Sequence, residues 1–344
     1  MAMKEIRVGM LGNGGIASGH ARGLTKLPGV RIVGLCDQLL EKAQQLNQRY
    51  GNTAQCFTDF GKMLDTVPMD ALYVCIPPGA HDGKAEIAAA KKGLHLFLEK
   101  PIALSLTVAK SIAAAVRKSG VKCQIGHHMR HALPVRKLHK MIQDGITGRP
   151  LFFTGRFFSN ALYPAWWRNP AIGGGQLIEQ SIHIYDLARY LLGDPEIVSG
   201  FCGKLAHGNV PDYQVDDNAA SVIRFRNGAI ASILCSNCAE PMKFVTTATV
   251  LFEKVSVEME LTQKATFVYH NAIPAEEYWN TKTEPKREEV VNDVDCGDEI
   301  DRNFIAGIRE NEPLLSSIED GLEGLRLVTA VAASSAKNGA PQKM

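Results

Sequence analysis

Short, almost continuous apolar runs alternate with amphipathic stretches over the first third of this chain. Ile6–Leu11 is apolar and stops at Gly12-Asn13-Gly14-Gly15; a helical pattern over 16–26 follows and is broken by Pro28-Gly29. Val30–Cys36 is the next apolar run, closed by Asp37, and 40–50 is helical up to Gly51. Residues 71–76 are apolar and halted by Pro77-Pro78-Gly79, and the Ala-rich stretch 81–92 reads as a helix with Gly93 placed to cap it. His95–Leu98 runs into Glu99-Lys100-Pro101; 105–119 is helical with Ser105 as N-cap, and 121–125 is a further strand. Strands without a polar face, separated by helices, predict a parallel sheet covered on both sides in a doubly wound arrangement.

After about residue 128 the pattern changes. A helix is expected over 134–144, and strand-like stretches dominate thereafter. Two of them, 219–226 and 229–235, flank Asn227-Gly228 and give the clearest hairpin signal, since Asn-Gly suits a type I′ turn. Val245–Phe252 and Val255–Glu260 read as a second pair, 274–287 as a long polar loop, and 299–309 and 318–334 as closing helices. The expected architecture is α/β. Residues 1–128 form a doubly wound Rossmann domain, and 129–344 an α+β domain with a large, mostly antiparallel open sheet.

Composition narrows the class further. The chain has 344 residues, 45% apolar and 22% charged, as in ordinary globular proteins. Lys and Arg number 38 against 36 Asp and Glu, so the basic excess of a nucleic-acid binder is missing. No apolar run approaches the roughly 18 residues of a membrane span. The first residues, MAMKEIRVGMLG, lack the apolar centre of an export signal. The eight cysteines therefore read as reduced thiols of a cytoplasmic protein.

The glycine turn carries the first chemistry. Gly12-Asn13-Gly14-Gly15-Ile16-Ala17 matches G-x-G-x-x-A, placed after a strand and at the opening of a helix, where a dinucleotide fingerprint belongs. Gly12 allows the tight turn, Gly14 a close approach of backbone to pyrophosphate, and Ala17 close helix packing. Free N–H groups and the helix dipole favour the phosphates. Asp37 ends the second strand 25 residues after Gly12; a carboxylate there accepts from both adenosine ribose hydroxyls and repels a 2′-phosphate, so NAD is favoured over NADP.

With Glu99-Lys100-Pro101 at the carboxyl edge of the sheet, the chain resembles the Gfo/Idh/MocA family, named for glucose–fructose oxidoreductase, inositol dehydrogenase and a rhizopine-catabolism enzyme. The segments that carry the resemblance are VGMLGNGGIASGH, YVCIPPGAHDGKAEIAAAKKGLHLFLEKPIAL, IGHHMR, AWWRNPAIGGGQLIEQSIHIYDLARYLLGDPEIVSG and FIAGIRENEPLLSSIEDGLEGLRLVTAVAASS. The resemblance implies that Lys100 faces the nicotinamide and the reacting carbon, and that the Lys100–Pro101 bond is cis. It implies that His183 is the general base, with Glu179 four residues before it where many members have Asp. Its cofactor contacts carry over to Asn13, Gly15, Ile16, Ile76, Pro77, His81, Glu99, His128, Trp167 and Arg168. Where several sugar and inositol dehydrogenases carry a Tyr, seven residues before Phe304, this chain has Gly297. The resemblance also implies sheets that pack face to face in a homodimer or homotetramer.

The chemistry is coherent. Oxidising a secondary alcohol removes a hydroxyl proton as hydride leaves carbon, a task suited to His near neutrality. Glu179 can orient the imidazole of His183, and Lys100 can donate to the substrate oxygen. Cys235-Ser236-Asn237-Cys238 has no partner pair at metal spacing, and His127, His128 and His131 lack an acidic neighbour, so no metal is expected. The leading reading is an oxidoreductase moving hydride between a sugar, polyol or inositol and NAD, without nucleic acid or membrane as partner. Two alternatives stay open on the same residues: glycoside cleavage through transient oxidation by tightly held NAD, and a nucleotide-binding regulator without catalysis.

Overall fold

The computed structural model describes residues 4–241, 243–270 and 284–344. Of the polar stretch expected as a loop, 274–283 lies outside the described residues, and the chain is already in a strand from Lys286.

The chain divides into two compact units that are not contiguous in sequence. The first takes Met1–His128, Pro164–Gly174 and Asp295–Arg326; the second takes Met129–Tyr163, Gly175–Val294 and Leu327–Met344. In the first run of the chain, β1 (Ile6–Leu11), α1 (Gly15–Thr25), β2 (Val30–Cys36), α2 (Leu40–Arg49), β3 (Gln55–Phe57), α3 (Phe60–Thr66), β4 (Ala71–Val74), α4 (Lys84–Lys91), β5 (His95–Leu98), α5 (Leu106–Ser119) and β6 (Cys123–Ile125) alternate as expected. All six strands are parallel, in the order β3-β2-β1-β4-β5-β6. The order reverses direction between β1 and β4, and ligands of doubly wound sheets bind outside the carboxyl ends at that point. Ser105 caps α5 and Gly120 ends it at φ 65°, as its sequence requires.

Local differences have local causes. β3 and α3 were not legible, being three and seven residues long. The helix expected over 81–92 starts only at Lys84, because Pro77-Pro78 open a 3₁₀ turn over Pro78–Ala80 and Gly83 sits at φ 84°. His81 therefore lies in a loop and not at a helix start.

The chain continues through α6 (Leu133–Gln143), β7 (Pro150–Phe158), α7 (Ala165–Arg168), a π-helical turn over Gln176–Gln180, α8 (Ile182–Leu192), β8 (Pro195–Gly203), β9 (Asn218–Phe225), β10 (Ile230–Ser236), β11 (Val245–Phe252), β12 (Val255–Glu260), β13 (Lys264–Tyr269) and β14 (Lys286–Val291). Helices α9 (Cys296–Glu310) and α10 (Ile318–Ser335) and the short β15 (Gln342–Lys343) follow. The second sheet has nine strands in the order β14-β13-β12-β11-β7-β10-β9-β8-β15. Only β7 and β10 pair in parallel. The β9–β10 hairpin is present, but of its two turn residues only Gly228 takes positive φ, at 89°. Phe225 N–H donates to Ala229 and Gly228 N–H to Phe225, so three residues close the loop with a glycine bulge in place of the expected type I′ turn.

One face of this sheet is buried under α8, which packs on β7 and β10. Phe153, Phe157, Ile233, Cys235, Val250 and Phe252 alternate inward at 4% exposure or less. The other face keeps apolar residues in the open, with Val222 at 54% and Leu234 at 40%.

Candidate functional site

Gly12 sits at φ 83°, and a Cβ there would stand 2.4 Å from the Cys75 carbonyl of the next strand's end, so no other residue fits this turn. Gly14 is the N-cap of α1 and has no side-chain cap, and the first turn holds no acidic residue. A Cβ on Gly14 or Gly15 would meet nothing within 4 Å, which leaves the positive end of the helix uncovered. Ala17 is fully buried and lets α1 lie close on the sheet. Asn13 is 6% exposed, and both atoms of its buried amide lack a partner. A buried amide is rarely left so unless a ligand completes it. An open helix N-terminus, a glycine cradle and this orphaned amide together fit a dinucleotide.

Asp37 does more than its place predicted. Its Oδ2 accepts the Asn13 N–H at 2.8 Å and its Oδ1 accepts the Leu39 N–H at 3.0 Å. The carboxylate pins the glycine turn to the start of α2, and each oxygen retains a second lone pair for a hydroxyl. Beside it, a cavity of about 240 Å³ is lined by Asn13, Gly14, Ser18, Lys42 and Arg49. Ile16 stands 61% exposed on the first turn of α1, and Ile76 and Pro77 are half-buried at the end of β4.

His81 is buried, with Nδ1 2.5 Å from Glu86 Oε1 and Nε2 without a partner. The segment Pro164–Gly174 packs close by: Gly79 N–H donates to the Ile172 carbonyl at 2.7 Å, and a Cβ on Gly79 would lie 2.2 Å from the Ala171 carbonyl. Trp167 on α7 is 1% exposed, while Trp166 is 37% exposed, so core packing belongs to Trp167 alone. Arg168, at the end of α7, is half-buried.

The Lys100–Pro101 peptide is cis, as the resemblance implied. Lys100 is half-buried at the end of β5, and its backbone N–H donates to Glu99 Oε2 at 3.2 Å. His128, beyond β6, is neutral at ordinary pH. Desolvation is the main cause, and with Lys100, His127 and His20 nearby it outweighs Glu99 and holds the pKa at about 4. His128, Glu99, His20 and Gly297 line a second cavity of about 200 Å³. Gly297, the position at which the resemblance noted a Tyr in several sugar and inositol dehydrogenases, puts no side chain into this wall.

In the second unit, Gly175 at φ 70° comes within 2.4 Å of Val215 where a Cβ would be, and opens the π-helical turn. Glu179 lies in that turn and His183 in the first turn of α8, so the two residues four apart stand on two segments joined at Ser181 and not on one regular helix. π-turns recur at functional sites. Gln176 holds the turn to the sheet by donating to the Phe157 and Ser236 carbonyls at 3.3 and 3.2 Å. His183 is 5% exposed and Glu179 half-buried. Tyr163 was not singled out from sequence; burial pushes its hydroxyl pKa up and the charge of Glu179 adds to that. A lone Tyr in a loop carries no sequence signal.

Among the described residues, His207, Asp217 and Cys238 bring potential ligand atoms within 4.8 Å of one another. Asp217 already accepts the N–H groups of Leu205, Ala206 and His207 at 2.8, 2.9 and 2.9 Å and the Asn218 amide at 2.7 Å, so this group clasps a loop.

Comparison with known proteins places these features. Residues 6–127 match the family described as oxidoreductase family, NAD-binding Rossmann fold, and residues 135–258 the GFO/IDH/MocA C-terminal domain. The chain is 30% identical to D-glucoside 3-dehydrogenase of Escherichia coli over 246 residues, covering 67% of this chain and 70% of that one. It is 32% identical to scyllo-inositol 2-dehydrogenase (NAD(+)) of Bacillus subtilis over 234 residues, covering 67% of each. In fold it is similar to levoglucosan dehydrogenase in complex with NADH and levoglucosan, with a TM-score of 0.87 at 20% identity over 99% of both chains. No helix among the described residues is long and apolar enough to cross a membrane.

Proposed function

Since this chain belongs to the Gfo/Idh/MocA family and is thereby an NAD-dependent dehydrogenase of CH–OH groups, we propose that it oxidises a secondary hydroxyl of a sugar, polyol or inositol. The observation that carries the reading is the uncovered N-terminus of α1 with the orphaned amide of Asn13 beside it, at the same sheet edge as Lys100. When bound, NAD supplies the hydride acceptor. The glycine turn and the α1 N–H groups hold its phosphates, and Asp37 takes the ribose hydroxyls, favouring NAD over NADP. Ile76, Pro77, His81, Glu99, His128, Trp167 and Arg168 complete the cofactor contacts.

In this reading Lys100 donates a hydrogen bond to the substrate oxygen and stabilises the charge that builds there. His183 accepts the hydroxyl proton at a ring nitrogen, and Glu179 orients the ring. The expected division into a cofactor domain over 1–128 and a substrate domain over 129–344 differs from the compact units, because Pro164–Gly174, with Trp167 and Arg168, and Asp295–Arg326 belong with the first. All eight cysteines are free thiols, in keeping with a cytoplasmic protein.

The test is a panel of sugars, inositols and their glycosides offered with NAD to the purified chain. NADH formed together with the oxidised sugar supports the proposal. Aglycone released without NADH assigns glycoside cleavage instead, and NAD bound without turnover of any member assigns a regulator.

A further inference from the structure

Helix α1 carries His20 on its buried side, between two carboxylates from distant parts of the first unit. Nδ1 lies 2.7 Å from Asp301 Oδ1 on α9, and Nε2 lies 3.0 Å from Glu99 Oε1. The three side chains are 8%, 1% and 16% exposed. Phe97 and Tyr73 wall the ring, with centroids 4.6 and 5.3 Å away. Glu99 is confined in turn, since a Cβ on Gly126 would stand 2.6 Å from its Oε1. Its second oxygen accepts the Lys100 N–H at 3.2 Å.

With both carboxylates ionised, an imidazole that faces an oxygen at each nitrogen carries a proton on both, so the charged ring fits this geometry. The groups around it agree. Asp301 faces it from α9, Glu99 from the turn after β5, the Tyr73 hydroxyl from β4, and neutral His128 from beyond β6. Burial alone would discharge the ring, but the two carboxylates outweigh it and hold the pKa at about 10.

We propose that His20 is a positioning residue: a permanently protonated ring that ties Glu99, and through Glu99 the turn presenting Lys100, to the helix that opens on the cofactor phosphates. The proposal rests on the reading of Lys100 as the lysine that meets the substrate. Without the ring's two donors, the Glu99 carboxylate can swing or take up a proton, and the Lys100 turn loses its anchor. The cofactor cradle at Gly12, Gly14 and Asp37 is left as it was.

Two measurements on the full chain test this. In the native apoprotein, the ¹⁵N resonances of the His20 ring should stay at doubly protonated values from about pH 6 to 9; in Glu99→Gln, which keeps an oxygen acceptor but removes one negative charge, the ring should titrate within that range. A native ring that loses its proton below about pH 8, or a ring indifferent to Glu99→Gln, overturns the proposal.

The second measurement is a kinetic cycle. His20→Gln and Glu99→Gln should each lower kcat by about 10–100-fold, His20→Gln should change NAD affinity less than about threefold, and the double variant should lower kcat no further than Glu99→Gln alone. Losses that multiply mean that His20 does not act through Glu99 and overturn the proposal. If His20→Gln does not fold, the titration in Glu99→Gln decides. Native turnover by Lys100→Met would instead overturn the reading of Lys100, whatever the ring resonances show.

Discussion

Arg130 grips Asp186 with two hydrogen bonds, Nε to Oδ2 at 2.8 Å and Nη2 to Oδ1 at 2.5 Å, and both side chains are 2% exposed. The guanidinium also lies 4.3 Å from the centroid of the Tyr190 ring. Asp186 follows His183 by three residues on α8, so this pair anchors the helix that carries the proposed base. Arg130→Met takes the guanidinium from a buried carboxylate and should cost about 3–5 kcal/mol of stability; Arg130→Met with Asp186→Asn should recover part of it. Urea unfolding of the three proteins measures both, and a loss below about 1 kcal/mol would show that water reaches the pair.

Chemistry and cofactor binding should separate on mutation. Lys100→Met and His183→Ala are expected to keep NAD affinity within about tenfold, or ~1.4 kcal/mol. Each should lower kcat by about 10²–10⁴-fold, and under the proposed roles, in which both side chains serve one proton-transfer step, the two losses should not multiply. Glu179→Gln should be milder than His183→Ala if it only orients the ring. Single-turnover hydride transfer is the readout; native rates in His183→Ala would make that residue structural.

Asp37→Ala should weaken NAD more than NADP and so narrow the gap between them. Because Asp37 also holds the Asn13 N–H, the variant should lose some affinity for both cofactors. Isothermal titration distinguishes the two effects, and equal affinity of the native protein for both would remove Asp37 as the discriminator.

Two buried histidines give opposite pH dependences. His20 has its folded pKa raised to about 10, so its contribution to stability is complete below about pH 6.5, its unfolded value, and is lost as pH rises through about 10. His128 has its folded pKa lowered to about 4, so the unfolded chain binds its proton first and stability falls as pH drops from about 6.5 towards 4. Melting temperature should therefore decline on both sides of about pH 6.5. His20→Gln should flatten the alkaline side and His128→Gln the acidic side. Calorimetric scans between pH 5 and about 9.5 that run parallel in all three proteins would refute the assignment.

The open face of the nine-stranded sheet should be covered by a second copy of the chain. Val222, Ile230, Leu234, Leu251 and Phe201 stand 37–57% exposed there. A row of this kind seldom stays in water. Light scattering at micromolar protein should report a dimer or tetramer, and Leu234→Glu should shift it towards monomer. A native monomer contradicts the expectation.

What could be read from sequence was whatever depends on neighbours in the chain. Gly12 and Gly14 announce the turn because backbone geometry demands them, and Ser105 and Gly120 announce the ends of α5. Val245–Phe252 and Val255–Glu260 alternate clearly enough to be read to the residue. Strand β14, whose first four residues are all charged, offered no such pattern and is held by its register with β13. The site was legible where a motif is local, as at Lys100. The π-turn that separates Glu179 from α8 depends on Gln176 reaching two strands, and spacing cannot show that. The contact of His20 with Asp301 spans 281 residues and leaves no trace in local sequence.

That long separation bears on how the protein is made. Ile300, Phe304 and Ile305 of α9 share a buried cluster with Ile6, Val8, Tyr73 and Phe97. Tyr73 and Phe97 stack at 4.5 Å, and Phe304 closes on both edge-on. Roughly 170 residues separate Ile125, the end of β6, from Cys296, the start of α9. At about 5–20 residues per second, a ribosome takes roughly 10–30 seconds to cover that distance. A six-stranded sheet that folds before α9 is made has Tyr73 and Phe97 uncovered by Phe304 for that time. The core of the first unit is therefore complete only when translation delivers α9.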